Sequence, residues 1–423
     1  MEKKKVILYG AGENALLTHK LTLTRIGDSE PIAFCDRDPH KHGKHFLDLP
    51  VLSFAGAKEQ FGVFDVYVTA NERHAPDIIG YLLENGVKPG NIINYEPVEK
   101  RKGCVFLESV LLLQFNGGFV SVKICDCISE GGATRGRPEF NIAPSEFSGD
   151  SFGKAIAYMD GLADAIVDGH VPECCKDCPF IKEQYYFVNR VKRHVILGGN
   201  VACNYKCLHC TNGVLFEKYQ SSVYDDLNIA MDTIMASGVM HEDAVIAFGV
   251  GEPTIDSNHA AFLRKIEKHP LILFSNGYLF SDAVADVLRR GCAELCVSID
   301  AGTPETYHKI KGVDGFKQVC ANIRKYAEHG TVILKYILFE GINVNDADIG
   351  GFYALADETA AMVLLSRDFY MEGVLSDCAL EKSAEFIARY RGKGKLSRII
   401  GFQRDDESDR LQKLLEAIQD DKH

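Results

Sequence analysis

No apolar run in this sequence approaches the twenty or so residues needed to cross a bilayer, so no membrane span is expected. An export signal is not expected either. Met1-Glu2-Lys3-Lys4-Lys5 leads only into a short strand-like run, Val6-Ile7-Leu8-Tyr9. Positive charge is in deficit: 47 Lys and Arg stand against 59 Asp and Glu, a net charge of −12. The lack of a basic stripe argues against DNA or RNA as the main partner. Repeats and low-complexity segments are lacking too, so the chain reads as ordinary globular sequence.

What is present bounds the answer further. A chain of 423 residues exceeds what one hydrophobic core usually serves, so two or three domains are expected. A composition of 46% hydrophobic and 25% charged residues suits a soluble protein. Fourteen cysteines without an export signal point to a reducing, cytoplasmic setting and to metal ligation, not disulfides.

Three of those cysteines stand out. Cys203, Cys207 and Cys210 are spaced C-x3-C-x2-C in Gly199-Asn200-Val201-Ala202-Cys203-Asn204-Tyr205-Lys206-Cys207-Leu208-His209-Cys210. Three close thiolates can hold three corners of one metal centre and leave a position open. Thiolates favour iron–sulfur clusters or zinc, and a zinc site could add His209 or a distant Cys as fourth ligand. The loop follows the β-like run His194 to Gly198. Five more apolar runs then alternate with helix-like stretches. They end in Gly251-Glu252-Pro253-Thr254, Ser275-Asn276-Gly277, Ser298-Ile299-Asp300, Glu340-Gly341-Ile342-Asn343 and Ser366-Arg367-Asp368. Polar clusters at the ends of successive strands make one active-site face, as in a β/α barrel.

This stretch, about residues 190 to 370, resembles the radical S-adenosylmethionine (SAM) enzymes, and among them the SPASM/twitch group. Cys203, Cys207 and Cys210 match the family's cluster motif, with His209 at its usually aromatic position. Gly251-Glu252-Pro253 resembles the motif that holds the methionine amino group. Ser298-Ile299-Asp300-Ala301 with Pro304-Glu305-Thr306-Tyr307 resembles the group's fourth-strand signature. The resemblance implies an α/β fold with a partial (β/α)6 TIM-type barrel over residues 191–372. It implies a [4Fe–4S] cluster on the three cysteines, SAM on the open iron, and reductive cleavage of SAM followed by hydrogen abstraction. An electron donor such as flavodoxin or ferredoxin and a small-molecule substrate are the implied partners. Asn276, Ser298 and Asp300 end neighbouring strands and can reach the SAM ribose. Lys335 either meets the SAM carboxylate or points outward by strand alternation.

Residues 1–98 read as a small α/β domain. The strand Lys5 to Tyr9 enters Gly10-Ala11-Gly12-Glu13-Asn14-Ala15, a G-x-G-x-x-A turn opening a helix. A second strand, Pro31 to Cys35, ends at Asp36, placed as a ribose contact would be. A third strand, Val66 to Ala70, precedes a helix across Pro76 to Glu84. The domain resembles the Rossmann modules attached to sugar-modifying and nucleotide-sugar enzymes. Gly10, Gly12 and Asp36 are therefore candidates to hold NAD(P) or a nucleotide sugar, with docking as the alternative role.

Residues 99–190 read as a connecting segment with a β-hairpin over Val105 to Val122 and a helix over Gly153 to Asp168. Cys125 and Cys127 precede that helix; Cys174, Cys175 and Cys178 follow it. Cys125, Cys127, Cys175 and Cys178 would complete a closed second [4Fe–4S] centre if the helix doubles back, with Cys174 able to replace Cys175. A zinc ribbon is the alternative. Cys35, Cys104, Cys292, Cys296, Cys320 and Cys378 stand alone and read as packing residues. Residues 373–423 read as helices packed on the barrel, over Cys378 to Arg391 and Ser408 to Gln419.

The functional expectation is a radical SAM enzyme acting on a small molecule, and the N-terminal module favours a sugar-like or nucleotide-linked one. A maturase of ribosomally made peptides is the second reading, although no winged-helix leader-binding domain is apparent. A cluster-binding scaffold without turnover is the third.

Overall fold

A computed structural model of the chain describes residues 3–116, 118–123, 125, 139–176, 178, 180–199, 201–210, 223–368, 374–402 and 405–420. The strands, in chain order, are β1 Lys5–Tyr9, β2 Glu30–Cys35, β3 His45–Phe46, β4 Leu49–Leu52, β5 Asp65–Val68, β6 Val98–Cys104, β7 Val110–Phe115, β8 Val120–Lys123 and β9 Glu139–Ile142. They continue with β10 Ile181–Phe187, β11 Lys192–Gly199, β12 Met240–Val250, β13 Leu271–Ser275, β14 Ala293–Ser298, β15 Thr331–Leu338, β16 Met362–Arg367 and β17 Leu396–Ile400.

The first five strands make one sheet in the order β3-β4-β2-β1-β5. β1 pairs in parallel with both β2 and β5, as expected for a strand buried on both faces. Val6, Ile7 and Leu8 are wholly buried. Gly10 turns the chain at φ +113°, where a side chain would meet Thr69. The helix that follows, Glu13–Leu17, is one short turn and a half before a second helix, His19–Ile26.

The main body is a 10-stranded sheet in the order β17-β16-β15-β14-β13-β12-β11-β7-β8-β9. From β17 to β7 every pairing is parallel. β7, β8 and β9 then turn antiparallel at one edge. Between the strands lie helices with clear start and stop signals. Ser281 caps Asp282–Arg290, which ends on left-handed Gly291. Thr303 caps Pro304–Lys311, which ends on left-handed Gly312. Strand alternation divides the sheet's side chains into two sets. Val195, Leu197, Ile246, Phe248, Leu271, Leu273, Leu295, Val297 and Leu334 join the helices in the large core. Val245, Ala247, Ile272, Cys296, Ile333 and Leu364 face the other way.

The connector expected over residues 99–190 divides between the two bodies. β6 and β10 form an antiparallel ribbon. Tyr185 of that ribbon lies on the helix Ala75–Glu84, bonded to the Asp77 carboxylate at 3.0 Å and to Glu84 at 2.7 Å. β7, β8 and β9 instead extend the main sheet, and the helix Gly149–Val167 packs with them in its core. The hairpin expected around Gly117-Gly118 is the β7–β8 pair. Two parallel strands lie outside the expected barrel limits: β7 before it and β17 after it. β17 separates the two C-terminal helices, Asp377–Gly392 and Asp405–Asp420. Its sequence, Leu-Ser-Arg-Ile-Ile, is too short and mixed to signal a strand without its neighbour β16. No helix among the described residues is long and apolar enough to cross a membrane.

The N-terminal module covers the helix-free face of the main sheet at the strand starts. Leu17 packs there against Val245, Ala247 and Ile272. Glu13 receives hydrogen bonds from Ser397 at 2.6 Å and Arg398 at 3.1 Å on β17.

Candidate active site

The thiolate loop leaves β11 at the carboxyl end of the parallel sheet, and backbone contacts fix it there. Gly199 adopts φ +156°, with its Cα so close to Phe115 that a Cβ would lie 2.3 Å from that carbonyl oxygen. Gly251, at φ +60°, would put a Cβ 2.2 Å from the Ala202 carbonyl oxygen. Only glycine fits either position. The Gly251 amide donates to Gly199 and the Glu252 amide to Ala202, both at 2.9 Å. The Gly251-Glu252-Pro253 turn is thus stitched to the start of the cysteine loop. From the other side, the Leu208 amide donates to the Ile310 carbonyl at 2.8 Å, tying the loop to the helix Pro304–Lys311. Tyr205, within the loop, is buried with its hydroxyl 2.9 Å from that of Tyr307.

Cys203, Cys207 and Cys210 are half-buried with free thiols. Burial pushes the Cys203 thiol up to about 11, and negative charge at Glu252, Cys207 and Cys210 adds to the shift. Neutral thiols crowded this way call for a cationic centre to take up the charge of their thiolates. Among the described residues, no three His, Cys, Asp or Glu side chains converge as ligands of a single ion. A [4Fe–4S] cluster makes a different demand, since each thiolate binds a different iron and the sulfurs stand further apart. Three half-buried cysteines on one loop supply the thiolate donors such a cluster requires. Lys311 adds a buried cation: its ammonium pairs with Asp300, both are buried, and its nearest charges include Cys207 and Cys203. Burial alone would lower the Lys311 pKa, but Asp300 and Cys207 raise it, so the ammonium stays charged.

The strand-end residues separate into two groups. Glu252 is 3% exposed and its carboxylate accepts from the Thr254 hydroxyl at 2.6 Å, the Ser275 hydroxyl at 2.8 Å and the Asn276 amide at 2.6 Å. Burial raises its pKa against these bonds. Asn276 directs its side-chain nitrogen to Asn204 at 2.7 Å and lies 3.9 Å from the Cys203 sulfur, while its oxygen takes the Tyr278 amide at 2.9 Å. Asp300 is wholly buried, in left-handed backbone at φ +53°. One of its oxygens meets Lys311 and the other takes the Ile337 amide at 2.8 Å. Its own carbonyl accepts from Asn343 at 2.8 Å. The Asn276 and Asp300 side chains are engaged in holding the loops, because a polar strand end that is buried must find its partners within the protein. Ser298 and Lys335 are register partners. By alternation they share the face of Cys296 and Ile333, away from the helices, so Lys335 points to the open face of the sheet.

His209 lies against Phe339, with ring centroids 5.3 Å apart, and burial pushes its pKa down to about 4. It is therefore neutral.

The second thiol group also comes together in part. The Cys174 and Cys175 sulfurs are 3.9 Å apart, and the Cys178 amide donates to Cys175 at 3.2 Å. Cys127 lies outside the described residues. Cys104, read from the sequence as a packing thiol, is buried in the large core and also neighbours this group. It ends β6 opposite Ile181, whose amide donates to the Cys178 carbonyl at 3.2 Å. Burial pushes the Cys104 thiol up to about 11, with Cys178 and Cys125 among its charged neighbours. Only the β6–β10 pairing could have revealed it, since Cys104 and Cys178 are far apart in the chain.

In the N-terminal module, Gly10, Gly12 and Asp36 border one cavity of about 340 Å³. The Asp36 carboxylate already accepts from the Ala11 amide at 2.9 Å, the Asp38 amide at 2.9 Å and Lys41 at 2.8 Å. It braces the glycine turn.

A thiolate loop at the carboxyl ends of a parallel α/β sheet, clamped by a Gly-Glu-Pro turn, defines an iron–sulfur class of site. Residues 200–356 match the family model of the radical SAM superfamily, and this part of the chain belongs to that superfamily. Its cofactors are a [4Fe–4S] cluster and SAM. Among curated proteins, GTP 3',8-cyclase of Pasteurella multocida (strain Pm70) is 29% identical over 155 residues, covering 36% of this chain and 45% of the relative. GTP 3',8-cyclase of Haemophilus influenzae (strain 86-028NP) is 25% identical over 180 residues, covering 42% and 51%. The chain spans about half the length of the curated relatives it matches. Among solved structures, SuiB of Streptococcus suis bound to S-adenosylmethionine has a TM-score of 0.40 at 10% identity, covering 69% of this chain and 70% of that one. Native anSMEcpe with bound AdoMet has a TM-score of 0.37 at 17% identity, covering 49% and 63%.

Proposed function

We propose that the protein is a radical SAM enzyme that abstracts hydrogen from a small-molecule substrate. The observation that carries this reading is the clamped loop: three free thiols held between the Gly251-Glu252-Pro253 turn and the helix that bears Lys311. Cys203, Cys207 and Cys210 would hold the cluster. When bound, the cluster and SAM supply one-electron cleavage of a C–S bond and a carbon-centred hydrogen abstractor. The protein's part is to orient groups and exclude water. Glu252 would take the methionine amino group alongside the bonds it already accepts, with Gly251 and Pro253 shaping the turn. Lys335 would meet the SAM carboxylate, and Ser298 beside it a ribose hydroxyl. Asn276 and Asp300 act through the loop, as positioning residues. Buried Lys311 would offset the negative charge of the thiolates.

The relatives named GTP 3',8-cyclase act on a nucleotide, which favours a small molecule over a ribosomal peptide as substrate. A low-potential carrier of the flavodoxin or ferredoxin kind would deliver the electron. Cys125, Cys175 and Cys178, with Cys127, would hold a second [4Fe–4S] cluster, and Cys104 is a further thiol in reach. Closed by thiolates, that cluster would transfer electrons or stabilise the segment.

Anaerobic protein given SAM and dithionite is expected to release 5′-deoxyadenosine. The variant with Cys203, Cys207 and Cys210 all changed to Ala should lose about four irons per chain and all of that product. Normal product from this variant would overturn the assignment. Iron retained by the same variant, about four per chain with a [4Fe–4S] Mössbauer spectrum, is the result expected for the second cluster.

A further inference from the structure

The cavity beside Gly10 and Gly12 does not belong to the N-terminal module alone. Its lining includes Tyr9, Gly12, Asp36 and Asn71 from the ends of β1, β2 and β5, and also His194, Val245, Ile272 and Arg398 from the main sheet. We propose that it is a ligand site built jointly by module and sheet, and that it takes a nucleoside diphosphate. The inference does not rest on the radical chemistry proposed above.

Four observations carry it. The first is position. In the order β3-β4-β2-β1-β5, the chain proceeds from β1 to β2 on one side and reaches β5 on the other. The crevice beyond the carboxyl ends at such a reversal is where open α/β sheets bind ligands. The second is size and shape. A volume of about 340 Å³ lies within the range of small-molecule pockets. Gly12 borders it with extended backbone, φ −140°, and a Cβ there would meet nothing within 4 Å.

The third is the balance of hydrogen-bonding capacity. The acids that line the cavity are already occupied. Asp36 holds Lys41 and two amides, Asp77 takes the Tyr185 amide, Glu13 takes Ser397 and Arg398, and Glu72 faces His194 at 3.4 Å. Donors remain. The Arg398 guanidinium spends one nitrogen on Glu13, and its terminal nitrogens, the His74 ring and the Asn71 side-chain nitrogen have no partner among the described residues. The His194 Nε2 is buried without a partner. A cavity with spent acceptors and spare donors suits an acceptor-rich, anionic guest. The fourth is the apolar wall. Leu17, Ile78, Val245 and Ile272 offer a surface for a ring, so the guest combines a phosphate with a base.

The joint construction has a consequence for the fold. Val245 lies five residues before Val250, about 17 Å along the strand, so this site is separate from the thiolate loop. A guest there bridges the module and the sheet.

Titration calorimetry on the whole apo chain against UDP, ADP and inorganic phosphate tests this. At least one nucleotide should bind, and phosphate alone should bind at least tenfold more weakly. Gly12→Leu, which fills the cavity from the module, and Arg398→Gln, which removes donors from the sheet, should each weaken the nucleotide at least tenfold. Thermal melts check that each variant is folded, and Val245→Phe replaces Arg398→Gln if that variant unfolds. Silence with both nucleotides overturns the proposal. So does phosphate binding as tightly as either nucleotide. Loss through Gly12→Leu with no change from the sheet-side variants overturns the joint site.

Discussion

At the scale of single residues, buried charge decides most of what is unusual here. Glu294, on β14, is 1% exposed and neither of its oxygens has a hydrogen bond among the described residues. Burial, with Glu13 nearby, pushes its pKa up to about 8, while Arg398 pulls the other way. A carboxyl whose folded pKa exceeds its unfolded value binds its proton more tightly when folded. Its contribution to stability is therefore full below the unfolded value near 4.5 and declines as pH rises towards 8. Glu294→Gln removes that titration. The variant should be more stable than the parent at pH 8, by roughly 1–3 kcal/mol, and nearly equal to it at pH 5. Urea unfolding at the two pH values measures the difference. An equal effect at both would show that Glu294 is not the group being titrated. Asp300 and Lys311 solve the same problem in the opposite way. Each is buried, but each has the other, and the pair keeps both charges beside the cysteine loop.

At the scale of elements, the ribbon of β6 and β10 is held to the helix Ala75–Glu84 by close approach. A Cβ at Gly80 would lie 2.4 Å from the Tyr185 ring. The glycine is there for contact, since a helix interior otherwise disfavours it. Gly80→Ala should therefore destabilise by about 1–3 kcal/mol through overpacking, against the gain that alanine gives an open helix. Adding Tyr185→Ala should recover part of that loss, a non-additive pair visible in a double-mutant cycle. Strict additivity would mean that the two side chains do not compete for one space. The sequence shows a glycine in a helix and a tyrosine in a strand a hundred residues later. Nothing local connects them.

At the scale of the whole molecule, the described residues of the module and the main sheet meet through the apolar packing of Leu17 and through several polar contacts. Leu17 is 4% exposed and packs on Val245, Ala247 and Ile272. Arg25 reaches Glu242 and Asp243, with side chains 41%, 72% and 29% exposed. Exposed ion pairs contribute little, whereas burial of a leucine contributes substantially. Leu17→Ala should cost about 2–4 kcal/mol and loosen the module, splitting one unfolding transition into two. Arg25→Ala should change stability by less than about 1 kcal/mol. Calorimetric scans of both variants decide the order, and a larger effect from Arg25 would reverse this account.

The cysteine loop, the strand-end turns and the glycine turn after β1 were legible in the sequence because each is local. A spacing of three thiols, a Gly-Glu-Pro after an apolar run and a G-x-G-x-x-A after a strand need no distant partner to be read. Strand alternation also limited Lys335 to one of two faces, and its place two residues after Ile333, in the cluster on the open face, chose between them. The tertiary structure alone decided which polar ends remain available. Asp300 and Asn276 look like Ser298 in sequence, yet partners from other elements, Lys311, Ile337, Asn343 and Asn204, hold them in the loops. The same is true of Cys104 beside Cys178, of β17 beside β16, and of Arg398 on the wall of a cavity begun by Gly10. Side-chain type and spacing fix what a residue can do. Burial and long-range pairing fix whether it is still free to do it.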